Sequence, residues 1–403
     1  MDHQNKLRVI IVGSGLAGLA AARILREHHE VTVYERGDQT AATGGQGISI
    51  SPNAVKILER IGYDREKAGA VPIYGYRSYD KQGNVKKDHE VDLKTRYGAD
   101  QLTQKRSDFR DELMRLATAP SAELEIKGNS AHIVYDTKVV DLDADEGRIT
   151  LGDGTTAEAD VVIVADGVHS RLRNRILGDD SIRVKKMGLS CYRVAASADA
   201  VKEVLGGSLP HWWEPTTAQN RVCILNDGSD RFVAAYPLRH HQYMNFSCIF
   251  PSRMSKQSNR TNSWSADANS EEIIEIFHDF EESFRKILSI ATEVKYWELQ
   301  ELDALPTWTR GRAIVIGDAA HAMPPLQGQG ANQAVEDGES FRLLEGVVEP
   351  RDVPKVLKQI DSLRRPRATQ VQEDTRNMAG EVSWEDRMAK YDFLYSYNGI
   401  REA

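Results

Sequence analysis

Three glycine-rich junctions hold the residues of this chain whose types and spacing could do chemistry. The first, Gly13-Ser14-Gly15-Leu16-Ala17-Gly18, follows the apolar run Leu7-Arg8-Val9-Ile10-Ile11-Val12 and has the G-x-G-x-x-G spacing. In that spacing Gly13 makes the tight turn, Gly15 lets a pyrophosphate approach backbone N–H groups at a helix N-terminus, and Gly18 lets the helix pack close to the sheet. The second junction is Asp166-Gly167, at the end of the buried run from Asp160 to Ala165. An Asp-Gly turn at the carboxyl end of a parallel strand faces ligand in an open α/β sheet, so Asp166 either meets a nucleotide or only orients the turn. The third runs from Gly317-Asp318-Ala319-Ala320-His321 through Gly328-Gln329-Gly330-Ala331-Asn332, after the apolar strand Ala313 to Ile316. Asp318 can accept from a ribityl or ribose hydroxyl there, and the Gly328 to Asn332 segment opens a helix whose free N–H groups can face an electron-rich ring. His321, beside Pro324-Pro325, reads as a residue that fixes the turn through a hydrogen bond rather than as an acid or base.

These junctions need elements to hold them. Leu16, Leu19, Ala20 and Ile24 sit at helical spacing, and Glu30 to Tyr34 forms a second strand ending at Glu35, whose carboxylate can take ribose hydroxyls. Arg36 and a loop closing in Gly44-Gly45-Gln46-Gly47 follow, and backbone of that kind can approach a flat ligand closely. Ser51 and Pro52 open a helix closed by Gly62, and residues 71–91 turn strand-like, as an excursion into a second sheet. Arg106 directly precedes Ser107-Asp108, an N-cap signal for the helix bearing Phe109, Leu113 and Leu116. Alone it reads as a surface charge, and it becomes a phosphate ligand only if the later motifs converge on it. Residues 131–165 alternate strands with tight turns, as in a β-meander. Between Arg183 and Pro251, β-branched and aromatic runs predict an antiparallel second domain, followed by one helix from Ser270 carrying Ile273, Phe277, Phe280, Phe284 and Ile287. Arg364-Arg365-Pro366-Arg367 reads as a surface run and Trp384 to Tyr397 as a packing tail. The expected division is 1–73, 101–182 and 299–345 for the nucleotide-binding domain, 74–100 and 183–298 for the second, and 346–403 for C-terminal helices.

Composition narrows the function classes. A net charge of -8 over 403 residues leaves no basic field for nucleic acid. Cys191, Cys223 and Cys248 have no metal-ligand spacing and read as reduced, buried thiols, so no metal site is expected. No run approaches the roughly 18 apolar residues of a membrane span. A first strand starting by Leu7 leaves no room ahead of it for a signal peptide's apolar core. The expectation is a cytoplasmic protein without a membrane anchor, monomeric or homodimeric, acting on a small molecule.

The three junctions, in this order and spacing, resemble those of the single-component FAD-dependent aromatic hydroxylases, in the salicylate hydroxylase-like branch with its fungal members. The resemblance spans nearly the whole chain. It implies an α/β fold with a Rossmann-like FAD-binding domain of the GR2 type, parallel sheet plus β-meander, an antiparallel-sheet substrate domain and C-terminal helices. It also implies tightly bound FAD, contacted by Gly13, Gly15, Gly18, Glu35, Arg36, Gln46, Gly47, Arg106, Asp166, Asp318, Gly330 and Ala331. With one nucleotide fingerprint there is no separate nicotinamide domain, so NAD(P)H would bind transiently and leave after reducing the flavin. Oxygen would then form a C4a-hydroperoxide and pass one atom to a phenolic, aromatic or polyketide-type substrate. By the same likeness Arg193 and Tyr236 would hold a substrate phenolate, since a fixed cation lowers a phenol's pKa and favours the nucleophilic form. Read without the resemblance, both are strand residues with satisfied polar tips. Epoxidation, a flavin reductase or dehydrogenase without oxygen insertion, and a flavin-loaded sensor remain as alternatives.

Overall fold

The structure is a computed structural model that describes residues 6–39, 47–213, 220–257, 265–267 (by backbone alone), 270–291, 294–377 and 383–402. Its centre is the strand Arg8–Val12, which pairs in parallel with Glu30–Tyr34 on one side and Val161–Val164 on the other. The sheet continues to Ala313–Val315 and Thr309–Arg310 at one edge and to His132–Val134 at the other. Val161 to Val164 are buried without exception, as a strand covered on both faces must be, and this is why the sequence shows an unbroken apolar run there. His132–Val134 departs from the meander expected for residues 131–165 and joins the parallel sheet. The meander proper is Val139–Asp143, Arg148–Leu151 and Thr156–Glu158.

Helix Leu16–Leu25 is buried along its whole length, between the sheet and helix Gly330–Ser340. A Cβ on Gly338 would lie 2.6 Å from the Ala20 Cβ, so these two helices meet at backbone distance.

The second sheet has eight strands. Lys185–Ser197 pairs antiparallel with Tyr243–Pro251 and Lys295–Glu301, and Phe232–Leu238 follows. The excursion, Gly75–Asp80 with Val85–Glu90, is added by parallel pairing to Val222–Asn226. One face packs on two helices, Ser270–Ile276 and Glu282–Ser289, and on the aromatic turn between them, where a single helix was predicted. The apolar period runs on through the break because Phe277, Phe280 and Phe284 pack edge-on as one cluster. At the break, Asp279 pairs with Arg231 and Lys81.

The C-terminal helix Val353–Arg376 overturns the reading of Arg364-Arg365-Pro366-Arg367 as surface. The Arg364 side chain is fully buried and donates to Glu336, to Asp337 at 3.0 Å and to Gln333 at 2.9 Å, while Arg367 also donates to Glu336. Asp337 accepts from His321 at 2.6 Å, which gives His321 the turn-fixing part expected of it. Burial raises both acids, but Arg364 and Arg367 around Glu336, and His321 and Arg364 around Asp337, outweigh it and hold both below the usual carboxylate range. No helix of the described residues is long and apolar enough to cross a membrane.

Candidate flavin and substrate site

Between the two sheets lies a cavity of about 1610 Å³. A pocket for one ligand spans roughly 300–1,000 Å³, so this one has room for a cofactor and a second molecule.

Its floor is made of helix N-termini. Helices Leu16–Leu25, Arg106–Thr118 and Gly330–Ser340 all begin at the cavity, and none has a side-chain cap on its first turn. Their leading N–H groups are left for a ligand, and the helix dipoles favour a negative one. A Cβ on Gly15, Gly167 or Gly330 would meet nothing within 4 Å, so at these three lining positions bare backbone faces open space. Asp166 Oδ1 is buried and accepts no hydrogen bond among the described residues, and burial pushes its carboxyl above the usual range. Such an oxygen suits a hydroxyl-bearing ligand. These features fit an adenine dinucleotide with a flat ring system.

Gly13 and Gly18 shape this floor without lining it. Gly13 has φ +104°, and a Cβ there would lie 2.5 Å from the Ala165 carbonyl oxygen; on Gly18 a Cβ would lie 2.0 Å from the Gly13 carbonyl oxygen. Glu35 is more committed than its place in the motif suggests. Its carboxylate accepts from Ser14 N–H and Oγ, both at 2.8 Å, and from Gly37 N–H at 2.8 Å. Burial works against the ionised form, yet these bonds together with Arg110 hold it below its ordinary value. It therefore braces the glycine turn, with remaining lone-pair capacity for a ribose. Arg36, Asp318, Ala331 and Gly47 line the cavity. Gln46 lies outside the described residues. Arg106 is itself the first residue of its helix rather than preceding a Ser107 cap, and Ser107 Oγ bonds Asp108 instead. Burial and the nearby Arg193 lower the Arg106 pKa, with Asp318 acting the other way.

The roof is the second sheet. Because side chains alternate along a strand, adjacent Tyr192 and Arg193 part company. Tyr192 stacks on Phe250 and donates to Glu272 away from the cavity, whereas Arg193 faces in over the Trp297 ring at 5.4 Å. Arg193 Nε is buried without an acceptor among the described residues. Tyr236, two strands away in the same sheet, is buried, and burial pushes its hydroxyl up to about 12 despite the pull of Arg193, so it stays a neutral donor. Its ring packs on Gly47, where a Cβ would lie 2.4 Å from Tyr236 and 2.7 Å from Asn245; the Gly47 N–H donates to Asn245 Oδ1 at 2.7 Å.

One wall comes from a segment read only as packing. Helix Trp384–Tyr395 lines the cavity through Trp384, Arg387, Lys390, Tyr391 and Leu394. The signal was present: Trp384, Arg387, Tyr391 and Leu394 recur at three and four residues, a stripe that mixes aromatic rings with a cation.

A family described as FAD binding domain matches residues 6–375. The chain belongs to this FAD-binding family. Among its relatives, the FAD-dependent monooxygenase ntnJ of Nectria sp is 29% identical over 96% of this chain and 87% of its own length. The 6-hydroxynicotinate 3-monooxygenase of Pseudomonas fluorescens is 31% identical over 82% of this chain and 80% of its own. A salicylate hydroxylase solved as a substrate complex superposes with a TM-score of 0.74 at 26% identity, covering 98% and 96% of the two chains. This FAD-binding protein is an FAD-dependent monooxygenase, with NAD(P)H as co-substrate, of the salicylate hydroxylase-like type.

Proposed function

We propose that the enzyme hydroxylates a phenolic ring, of simple aromatic or polyketide origin, held between Arg193 and Tyr236. The observation that carries this is the pairing of a neutral phenol donor with a guanidinium whose Nε lacks an acceptor, both facing one cavity. A phenolate oxygen satisfies both: it accepts from Tyr236 and neutralises Arg193, and ionisation makes the ring carbons beside it more nucleophilic. The named substrates of the relatives, 6-hydroxynicotinate and salicylate, are hydroxylated rings of this kind.

On the floor, Gly15, Gly330 and Ala331 would hold FAD by backbone, with Arg106 on phosphate, Asp318 on a ribityl or phosphate-side hydroxyl and Asp166 accepting a further hydroxyl. Glu35 and Arg36 would flank the adenosine ribose, and Gly47 would lie along the ring. Bound FAD, reduced by NAD(P)H, supplies the activation of oxygen; the chain supplies position, charge and exclusion of water. Residues 1–73, 101–182 and 299–345 would form the cofactor domain and residues 74–100 and 183–298 the roof. Segment 346–403 would fix the floor helix and close one wall.

The test is a panel of phenols offered to the yellow, FAD-loaded protein under labelled molecular oxygen. Substrate-stimulated NAD(P)H oxidation with label in the product is expected. Stimulated oxidation with no label in any product would leave a flavin reductase and end the hydroxylation reading.

A further inference from the structure

The cavity's charge is opposite to that of the chain. Among the described residues, ten Lys or Arg line it against four Asp or Glu, in a protein of net charge -8. Arg106 and Arg193 belong to the inner chamber, and Lys86, Lys87, Arg387 and Lys390 sit on the hairpin and helix that form the mouth. Arg77 and Lys81 instead turn toward the helix-covered face of the sheet, where they meet Asp88 and Asp279. Lys86 and Lys390 have only loose partners, each 3.9 Å from an acid, and Lys87 and Arg387 add to the same face.

This rim is also built of rings. His89 stacks on Trp384 at 3.9 Å and 3°, joining the hairpin Gly75–Glu90 to the C-terminal helix. Tyr391 of that helix stacks on Tyr395 at 4.7 Å and packs on Tyr76 at 5.8 Å. Aromatic walls held by one another form a flat, pre-ordered slot, and a cleft lined by one sign of charge concentrates ligands of the other.

Resting on the reading that FAD fills the inner chamber, we infer that this mouth, between hairpin Gly75–Glu90 and helix Trp384–Tyr395, is a recognition site for a flat anion. Two molecules of the reaction have that chemistry. One is the nicotinamide dinucleotide, with its pyrophosphate; the other is an aromatic substrate whose far end bears an acid group. The volume left beyond a single ligand admits either.

The experiment compares the FAD-loaded protein with the double variant Lys87→Gln/Arg387→Gln, which removes both charges and keeps polarity at both sites. Binding of three probes is read from the change in flavin absorbance, without turnover: NADP+, p-coumarate and its neutral counterpart p-coumaramide. Thermal midpoint and FAD content confirm that the variant folds, and Lys87→Arg/Arg387→Lys should keep wild-type affinity. Two rim cations removed together are expected to weaken the anion by about fivefold at low salt, shrinking as salt screens the rim. Weakening confined to NADP+ assigns the rim to the dinucleotide. Weakening of p-coumarate but not p-coumaramide assigns it to the substrate acid, and weakening of both anions shows a shared rim. The inference is overturned if neither anion binds the wild type, if neither affinity moves, or if p-coumaramide weakens as much as p-coumarate. A protein that passes this test yet places no labelled oxygen in product loses the hydroxylation reading alone.

Discussion

Replacing Arg193 with methionine removes the guanidinium that lies over Trp297 and keeps an apolar side chain of similar reach. An opposite charge within about 4–6 Å lowers an acid's pKa by about 1–3 units, and a free phenol titrates near 10, so a phenol held against Arg193 should titrate at about 7–9. In Arg193→Met it should drift back toward about 10. With a wild-type value of about 8, the phenolate fraction at pH 8 falls from about one half to about one in a hundred, a roughly 50-fold loss of the reactive form. Arg106, which feels Arg193 across the cavity, stays behind and should keep the loss toward the lower end of its range. The assay is product formed per NAD(P)H consumed as a function of pH, beside the phenolate absorbance band of the bound substrate. Raising the pH should restore the variant's yield as the phenol ionises unaided. An unchanged phenolate band and yield at neutral pH would refute the argument. A loss that does not depend on pH would also refute it, and would assign Arg193 to packing on Trp297.

Arg364→Met should cost about 3–5 kcal/mol of folding stability, because Glu336 and Asp337 are left buried without their main cation; the urea midpoint reads it, and Arg364→Met/Asp337→Asn should recover part of the loss. Gly47→Ala should cost about 1–3 kcal/mol, since its methyl must displace the Tyr236 ring or Asn245, with substrate affinity falling alongside the thermal midpoint; wild-type affinity would show that the roof yields at no cost. Asp166→Asn should make the cofactor-free protein more heat-stable at neutral pH while weakening FAD retention. The sign follows from a folded pKa raised by burial: the carboxyl's favourable share is complete below its unfolded value, about 4, and disappears as pH rises through the folded one. Thermal scans of the cofactor-free pair across pH should therefore converge in acid and separate toward neutrality.

The cofactor floor was the most legible part of the chain because its signals are local. A β-branched run, a glycine turn and a helical period occur within Leu7 to Glu35, and each constrains backbone in the same stretch where it is read. The roof was legible as strands, but which face each residue takes was not. The two faces of Lys185–Ser197 differ only in partners far along the chain, so Tyr192 and Arg193 looked alike. Arg364 was misread for the same reason. Arg-Arg-Pro-Arg is polar by composition, and the acids that take it inside sit on a helix near residue 336. Its position carried the missing information: Leu357, Ile360, Arg364, Ala368 and Val371 step by three and four, so the arginine occupies a slot in an otherwise apolar stripe. The broken aromatic helix shows the converse, a period that survives a turn because rings from the turn and from the second helix reach one cluster.

The contact of Gly338 with Ala20 has a mechanical consequence. With no side chain to act as a bearing, the two helices whose leading ends would receive the dinucleotide cannot slide or rock against each other without colliding main chains. The cradle behaves as one casting. Entry of substrate and exit of product must then be accommodated by the sheet above it or by the last helix, and a methyl group at position 338 would be felt first as a loosened grip on the coenzyme.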